Sequence, residues 1–262
     1  MVPRCLTIAG SDSGGGAGVQ ADLKAFAAAG CHGLSAIVAL TAQNTVGVTA
    51  VHDVPAAFVR AELEAVFEDI GVDAAKTGML FSHELIDEVA DFLEAHPVPL
   101  VVDPVMVASS GARLLQQDAA DTLVARLFPL ATVATPNLAE AHVLAEVALD
   151  RSVATSELAE RIVGRGARAV VVTGGHGDAA VDHLFDGRHH VEIPTERYAI
   201  RATHGAGCTH SATLAAQLAR GDSLEAAARA AARAASEAVR HGLEELGEGD
   251  GPVDVLNVKG AA

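Results

Sequence analysis

In RATHGAGCTHS, residues 201–211, two glycines and a cysteine stand where a small-residue loop runs into the alanine-rich stretch ATLAAQLARG. Gly205 and Gly207 allow the backbone to turn its N–H groups toward one point, and the positive end of the following helix adds to them. With Ala206 between them they make an anion site, suited to a phosphate whose charge grows during transfer. Cys208 at the helix start is expected to have a lowered thiol pKa, with thiolate accessible near neutrality. Each part also has a plainer reading: a glycine-started helix packed on a sheet, and a cysteine acting as a small buried apolar side chain. Turn, thiol and helix in one place are more specific than any of them alone.

Two further clusters offer oxygen ligands. VVDPVM ends an apolar run at Asp103, and TPNLAE places Asn137 and Glu140 three residues apart. Residues three apart share a helix face, so this pair can reach one hydrated Mg²⁺, an ion that prefers oxygen ligands and keeps several waters. Asp103 would lie close to the same ion. The spacing of Asn137 and Glu140 is equally that of a capping box, and the two roles are compatible. A second glycine cluster, AGSDSGGGAGVQAD, follows the first strand-like run. GxGxxG can be threaded through it, but no acidic residue closes a second strand as a ribose partner would, and GxxxxGK[ST] is absent. A glycine run can be a flexible turn and nothing more. Asp22, one helical turn beyond it and able to look back toward the strand ends, favours a functional reading.

These residues need elements to hold them. Apolar runs of strand length, among them CLTIAG, LSAIVAL, DAAKTGML, PLVVDPVM, ATVATPN and RAVVVTGG, alternate with helical stretches. The helices read AGVQADLKAFAAAG, PAAFVRAELEAVFEDI, HELIDEVADFLEAH and DAADTLVARLF, then one from about Leu138 and one near residues 156–166. Continuously apolar strands imply helices on both faces, hence an α/β architecture with a mostly parallel sheet and right-handed crossovers. AAVDHLFDGRHHVEIPTERY departs from this pattern and reads as a hairpin turning at Asp186-Gly187. Two helices follow, residues 207–220 and 223–242, with Ser223 as cap and Gly242 as terminator. The tail GEGDGPVDVLNVKGAA reads as a partly mobile loop. No linker or repeat interrupts residues 1–262, so one domain suffices.

Net charge is −16 and most of the cations are arginine. That argues against nucleic acid as a partner, which demands a clustered basic face. A salt-adapted source and an ordinary acidic bacterial enzyme are both compatible with the balance. No apolar run approaches the ~20 residues of a membrane span, and the N-terminus lacks a signal-peptide pattern, so a cytoplasmic enzyme is expected. Cys5, Cys31 and Cys208 are widely spaced and suit neither a zinc site nor a disulfide framework.

The order of these blocks resembles the hydroxymethylpyrimidine/phosphomethylpyrimidine kinases of thiamine biosynthesis, within the ribokinase-like superfamily. The resemblance spans nearly the whole chain. It rests on LTIAGSDSGGGAGVQADLKAF, TAQNTVGV, KTGML, VVDPVM, TPNLAEA and THGAGCTHSA. It implies a three-layer α/β/α fold and a homodimer. The implied activity is ATP-dependent phosphorylation of 4-amino-5-hydroxymethyl-2-methylpyrimidine, first on the hydroxyl and then on the resulting monophosphate, with Mg²⁺. It further implies that Gln43 hydrogen-bonds the aminopyrimidine edge, its amide offering both donor and acceptor. Gly10 and Asp22 would lie near the hydroxymethyl end, and Met79 and Val107 would pack on the ring. Asn137, Thr173 and Gly175 would meet the nucleotide, Asp103 and Glu140 the metal. Cys208 stands where many sugar kinases of the superfamily have an aspartate base. A carboxylate there would repel a substrate already carrying phosphate.

The chain departs from the family pattern in GAGCTHS, where GTGCTLS is commoner, so Ala206 and His210 are substitutions; a neutral ring is expected for His210, given the helix dipole. Ser109 and Thr173 stand where lysines are frequent, which removes two cations from the nucleotide's side. Pyridoxal kinase is the nearest competing activity. A non-catalytic ligand-binding regulator on a kinase scaffold and a thiol enzyme using Cys208 are the competing classes. The intact Asp103, Glu140 and Cys208 argue against the regulator, and the absence of a resolving cysteine argues against the thiol enzyme.

Overall fold

The computed structural model describes residues 1–106, 119–174 and 180–261. Val107, Ser109 and Gly175 therefore lie outside the described residues. The strands are β1 (Arg4–Asp12), β2 (His32–Gln43), β3 (Val48–Asp53), β4 (Ala74–Thr77), β5 (Leu100–Val102), β6 (Val133–Ala134), β7 (Val170–Val172), β8 (Val181–Phe185) and β9 (His190–Pro194). The helices are α1 (Gly18–Ala28), α2 (Ala56–Asp69), α3 (His83–Ala95), α4 (Ala119–Leu127), α5 (Leu138–Leu144), α6 (Thr155–Gly164), α7 (Ala206–Ala219) and α8 (Leu224–Arg240).

All the described strands join one sheet in the order β3-β2-β1-β4-β5-β6-β7-β8-β9. From β2 to β7 every pairing is parallel; β3, β8 and β9 are antiparallel additions at the two edges. Side chains of one strand point alternately to opposite faces, and here both faces are apolar. Leu6, Ile8, Leu100, Val102, Val170 and Val172 meet the layer of α2 to α6. Cys5, Val101, Val133 and Val171 meet α1, α7 and α8. Covering by helices on both sides is why the strands carry no polar alternation.

The second layer is thin because it is built of alanine. Ala212, Ala215 and Ala216 of α7 pack with Ala227, Ala228 and Ala231 of α8. Small side chains let the two helix backbones approach each other, and they place the start of α7 against the sheet's upper edge. Ser223 caps α8 by accepting the Ala226 N–H, and Gly30, with φ +76, closes α1.

The structure differs from the sequence reading in two places. TAQNTVGV continues β2 to Gln43 and then turns into β3, an edge strand whose residues are mostly exposed and which lacks the apolar run that marks the others. The tail is also held rather than loose: His204 pairs with Pro252, the Asp254 N–H donates to Ala238 O, and Asp254 accepts from Val258 and Lys259. Gly242 lies two residues past the end of α8, just after the capping His241, where a Cβ would meet Ala202.

Candidate active site

The carboxyl ends of β1, β2, β4 and β5 and the start of α7 meet at one edge of the sheet, the region where open α/β sheets bind ligands. Gly205 has φ +85, and a Cβ on it would lie 1.8 Å from Gly16 O. Only glycine fits there. The contact joins the two glycine clusters, 189 positions apart in the chain, into one wall.

Of the amides expected to converge on an anion, that of Ala206 is taken, donating to Thr203 O at 3.1 Å. The N–H groups of Gly207 and Cys208 have no acceptor among the described residues. Gly207 is exposed, its φ is not in the left-handed region, and a Cβ on it would meet nothing within 4 Å. Its lack of a side chain therefore leaves open space at the helix end rather than enabling a turn, and the turn belongs to Gly205.

Beneath this turn lies a buried charged network. Lys76 of β4 is fully buried, with Nζ 2.9 and 3.0 Å from the two oxygens of Asp22 and 3.6 Å from Asp103 Oδ2. Thr7 Oγ1 donates to Asp22 at 2.6 Å, and Ser211 Oγ donates to Asp103 Oδ2 at 2.7 Å. One ammonium thus stands between two carboxylates. Burial opposes the charge on Lys76, but Asp22 and Asp103 together outweigh it and hold the amine protonated. Burial also raises Asp22, while Lys76 and Thr7 pull it back. Asp22 is fully enclosed, its carboxylate held between Thr7 and Lys76.

The sulfur of Cys208 belongs to the same network, and the expected thiolate is not there. Burial pushes the thiol up to about 12, with Asp22 and Asp103 adding to the rise and Lys76 opposing it. The helix end and the Gly18 N–H are too weak to reverse this. In the free protein Cys208 is a neutral thiol.

Asn137 and Glu140 form a complete capping box: Asn137 Oδ1 accepts the Glu140 N–H and Glu140 Oε2 accepts the Asn137 N–H, both at 3.0 Å. Asn137's side-chain oxygen is thereby occupied. Glu140 keeps Oε1 near the Met106 N–H at 3.4 Å and is almost buried. Burial and the charge of Asp103 push its carboxyl up to about 8. Two enclosed carboxylates acting on each other without a cation between them fit a divalent ion. Among the described residues no three acidic, histidine or cysteine side chains converge on a metal position.

On the acceptor side, the Met79 methyl packs on Gly10, where a Cβ would lie 2.5 Å from Met79 Cε. Gln43 at the end of β2 has its backbone pinned by Ser13 and its amide beside Thr41 and His204. A cavity of about 330 Å³ opens beside Gln43 and His204, walled by Asn44, Thr45 and the tail at Glu248 to Asp250. Thr173 bridges to Asn137 and donates its N–H to Pro136 O, next to the acidic pair. His210 lies elsewhere on α7, buried, with Nε2 3.3 Å from Asp182 Oδ2.

The sequence reading had missed Thr7, Asp12, Lys76, His204 and Ser211. Lys76 carried a signal, being a cation inside a four-residue strand apolar on both faces. The others are ordinary polar residues, Thr7 and Asp12 within β1, His204 in a loop and Ser211 on α7.

The comparisons with known proteins follow this geometry. Residues 12–254 match the family model described as phosphomethylpyrimidine kinase. A hydroxymethylpyrimidine/phosphomethylpyrimidine kinase from Rhizobium meliloti is 49% identical, with 97% of each chain covered. The crystal structure of a Clostridium difficile phosphomethylpyrimidine kinase has a TM-score of 0.76 at 40% identity, covering 88% of this chain and 96% of that one. A Staphylococcus aureus pyridoxal kinase bound to pyridoxal has a TM-score of 0.89 at 34% identity, covering 97% and 94%.

Proposed function

The chain belongs to the phosphomethylpyrimidine kinase family, and from that premise we propose how its residues carry the family's reaction. It is an ATP-dependent kinase that phosphorylates 4-amino-5-hydroxymethyl-2-methylpyrimidine and then the monophosphate, on a ribokinase-like three-layer fold. One observation carries the assignment of parts. Gly205 packs on Gly16, which joins the turn bearing the open amides of Gly207 and Cys208 to the first glycine loop.

Gln43 reads the aminopyrimidine edge, and Met79 with Gly10 gives the ring an apolar seat. Val107, outside the described residues, would complete that seat. The amides of Gly207 and Cys208 and the positive end of α7 hold the migrating phosphoryl group, whose charge is spread over its outer oxygens in a loose transition state. Such a transition state needs little deprotonation of the acceptor at the start, so a neutral Cys208 is tolerable as a neighbour of the acceptor oxygen. Lys76 is kept charged between Asp22 and Asp103, supplying a fixed positive charge under the site. Asp103 and Glu140 would hold Mg²⁺, which when bound neutralises phosphate charge. Asn137 and Thr173 line the nucleotide's side, with Gly175 outside the described residues.

Residues 1–262 act as one kinase domain, in the cytoplasm and as a homodimer. The exposed edge strand β3, with Leu40 of β2 and Phe58 of α2 exposed near it, offers a surface for a second copy. No described helix is long and apolar enough to cross a membrane.

Mass analysis after incubation with ATP, Mg²⁺ and the pyrimidine alcohol tests the reading. Two added phosphates are expected; none would overturn it. The likeness to pyridoxal kinases keeps that activity as a second reading, and a parallel incubation with pyridoxal separates the two.

A further inference from the structure

Asp12 and His204 take no part in the phosphoryl chemistry described above, yet both are almost fully buried between its two halves. Asp12 Oδ1 accepts the Gly14 N–H at 2.8 Å; Oδ2 accepts those of Gly16 at 3.0 Å and Ala17 at 2.8 Å, and faces His204 Nε2 at 3.0 Å. The carboxylate therefore has a partner on every side. Burial alone would raise its pKa, but His204 and the loop amides prevail and hold it below the usual carboxylate range. The imidazole packs closely against the loop: a Cβ on Gly16 would lie 2.3 Å from His204 Cδ2. Its backbone is fastened by the tail, donating to Gly251 O and accepting from the Val253 N–H. The next residue is Gly205, which begins the anion-binding turn.

His204 Nε2 also lies 3.5 Å from the Gln43 amide, and the supply of protons there determines the arrangement. A carboxylate opposite Nε2 makes that nitrogen a donor. A second donor, the Gln43 NH₂ group, cannot pair with it. Thr41 has one hydroxyl proton and two oxygens facing it, Ser11 O at 2.8 Å and Gln43 Oε1 at 3.0 Å. Oxygen and nitrogen of an amide are interchangeable in position, and turning the Gln43 amide over resolves both conflicts. Its carbonyl then shares the His204 N–H with Asp12, its NH₂ donates to Thr41, and Thr41 donates to Ser11. Each end keeps one position for a ligand.

We propose that Asp12 and His204 form a positioning pair that locks the first glycine loop to the Gly205 turn and fixes which way round the Gln43 amide faces the substrate. The pair thereby sets specificity for an acceptor with an amino group beside a ring nitrogen, and it rejects the 4-oxo analogue, in which donor and acceptor are exchanged. This rests on the assignment of Gln43 as the ring reader, whereas the locking of the loop does not.

The test uses H204F, which keeps a ring against Gly16 and removes the N–H, and D12N, which removes the charge. In the wild-type enzyme the 4-amino alcohol should exceed its 4-oxo analogue in kcat/KM by about 100-fold or more, the scale of discrimination when a site's polar groups are left unpaired. In H204F that ratio should fall to within about tenfold, with KM for ATP changed by less than about twofold. Hydrogen exchange at the amides of Gly14, Gly16 and Ala17 should quicken by about tenfold or more in both variants, and no further in the double variant, because the two side chains act as one unit. D12N supplies the same comparison should H204F not fold. Unchanged exchange in both variants would overturn the locking role, and an unchanged ratio in an active H204F would overturn the specificity role. A wild-type enzyme without activity on either alcohol would defeat the kinase reading alone, leaving the exchange result to judge the pair.

Discussion

At the scale of single residues, the site is governed by how few positive charges are buried with its carboxylates. Lys76 serves both Asp22 and Asp103, so an additional acid has no cation to meet. Cys208→Asp should therefore harm phosphorylation of the monophosphate more than of the alcohol, since the second acceptor brings its own negative charge. Timed product analysis by mass checks this, and equal losses in both steps would remove the explanation. Glu140 provides a pH signature. Its folded-state value, near 8, lies above the unfolded one of about 4.3. Its contribution to stability is therefore full below the unfolded value and declines as pH rises through 8. Glu140→Gln keeps the capping interaction and cannot ionise. Without divalent ions the variant should melt higher than wild type at pH 9 and the two should converge near pH 5, while the kinase reaction with Mg²⁺ falls by about 100-fold or more. A melting difference independent of pH would contradict the assigned burial of charge.

The same scale shows where the sequence was hardest to read. Cysteine at a helix start reads as an activated thiol because the helix end is visible in the sequence. The opposing burial and the two acids beneath it arrive from residues 22 and 103, and no local pattern brings them there. Asp12 looks like a turn-forming residue among serines and glycines, and its partner is 192 positions away.

At the scale of elements, the two glycines of GAG do different work. Gly205→Ala would place a Cβ against Gly16 O and force an L-residue to φ +85. The backbone strain alone costs about 1–3 kcal/mol, and the variant should be destabilised as well as inactive. Gly207→Ala faces open space within a helix, where alanine is favoured by roughly 0.5–1 kcal/mol. It should melt at or above wild type and yet turn over ATP more slowly, because the methyl group occupies the space in front of the open amides. Thermal melts paired with kcat and KM for ATP separate the cases, and equal instability in both would refute the distinction. Elements as such were legible wherever burial was two-sided. Strands such as CLTIAG and RAVVVTGG are apolar because helices cover both faces, and the β8–β9 hairpin declared itself through Asp186-Gly187. β3 was missed because an edge strand packs little and carries no such run. The tail was missed because its order comes from backbone bonds to His204 and Ala238, which leave no mark on composition.

At the scale of the whole molecule, a net charge of −16 on 262 residues is a standing repulsion within the folded state. Raising sodium chloride from about 0.05 to 0.5 M should increase Tm, since the screening length falls from well over 10 Å to below 8 Å. A flat or falling Tm in differential scanning calorimetry would mean that local ion pairs outweigh the overall excess.

The fastening of His204 by Gly251 and Val253 has a consequence for the order of assembly. The first glycine loop leaves the ribosome well before the segment that grips the histidine against it, which is made some 235 residues later. Domains generally fold as units, and β1 needs the later β4 beside it to complete its pairing. The wall of the pocket that His204 forms is therefore fastened only once residues 251–253 have joined the fold.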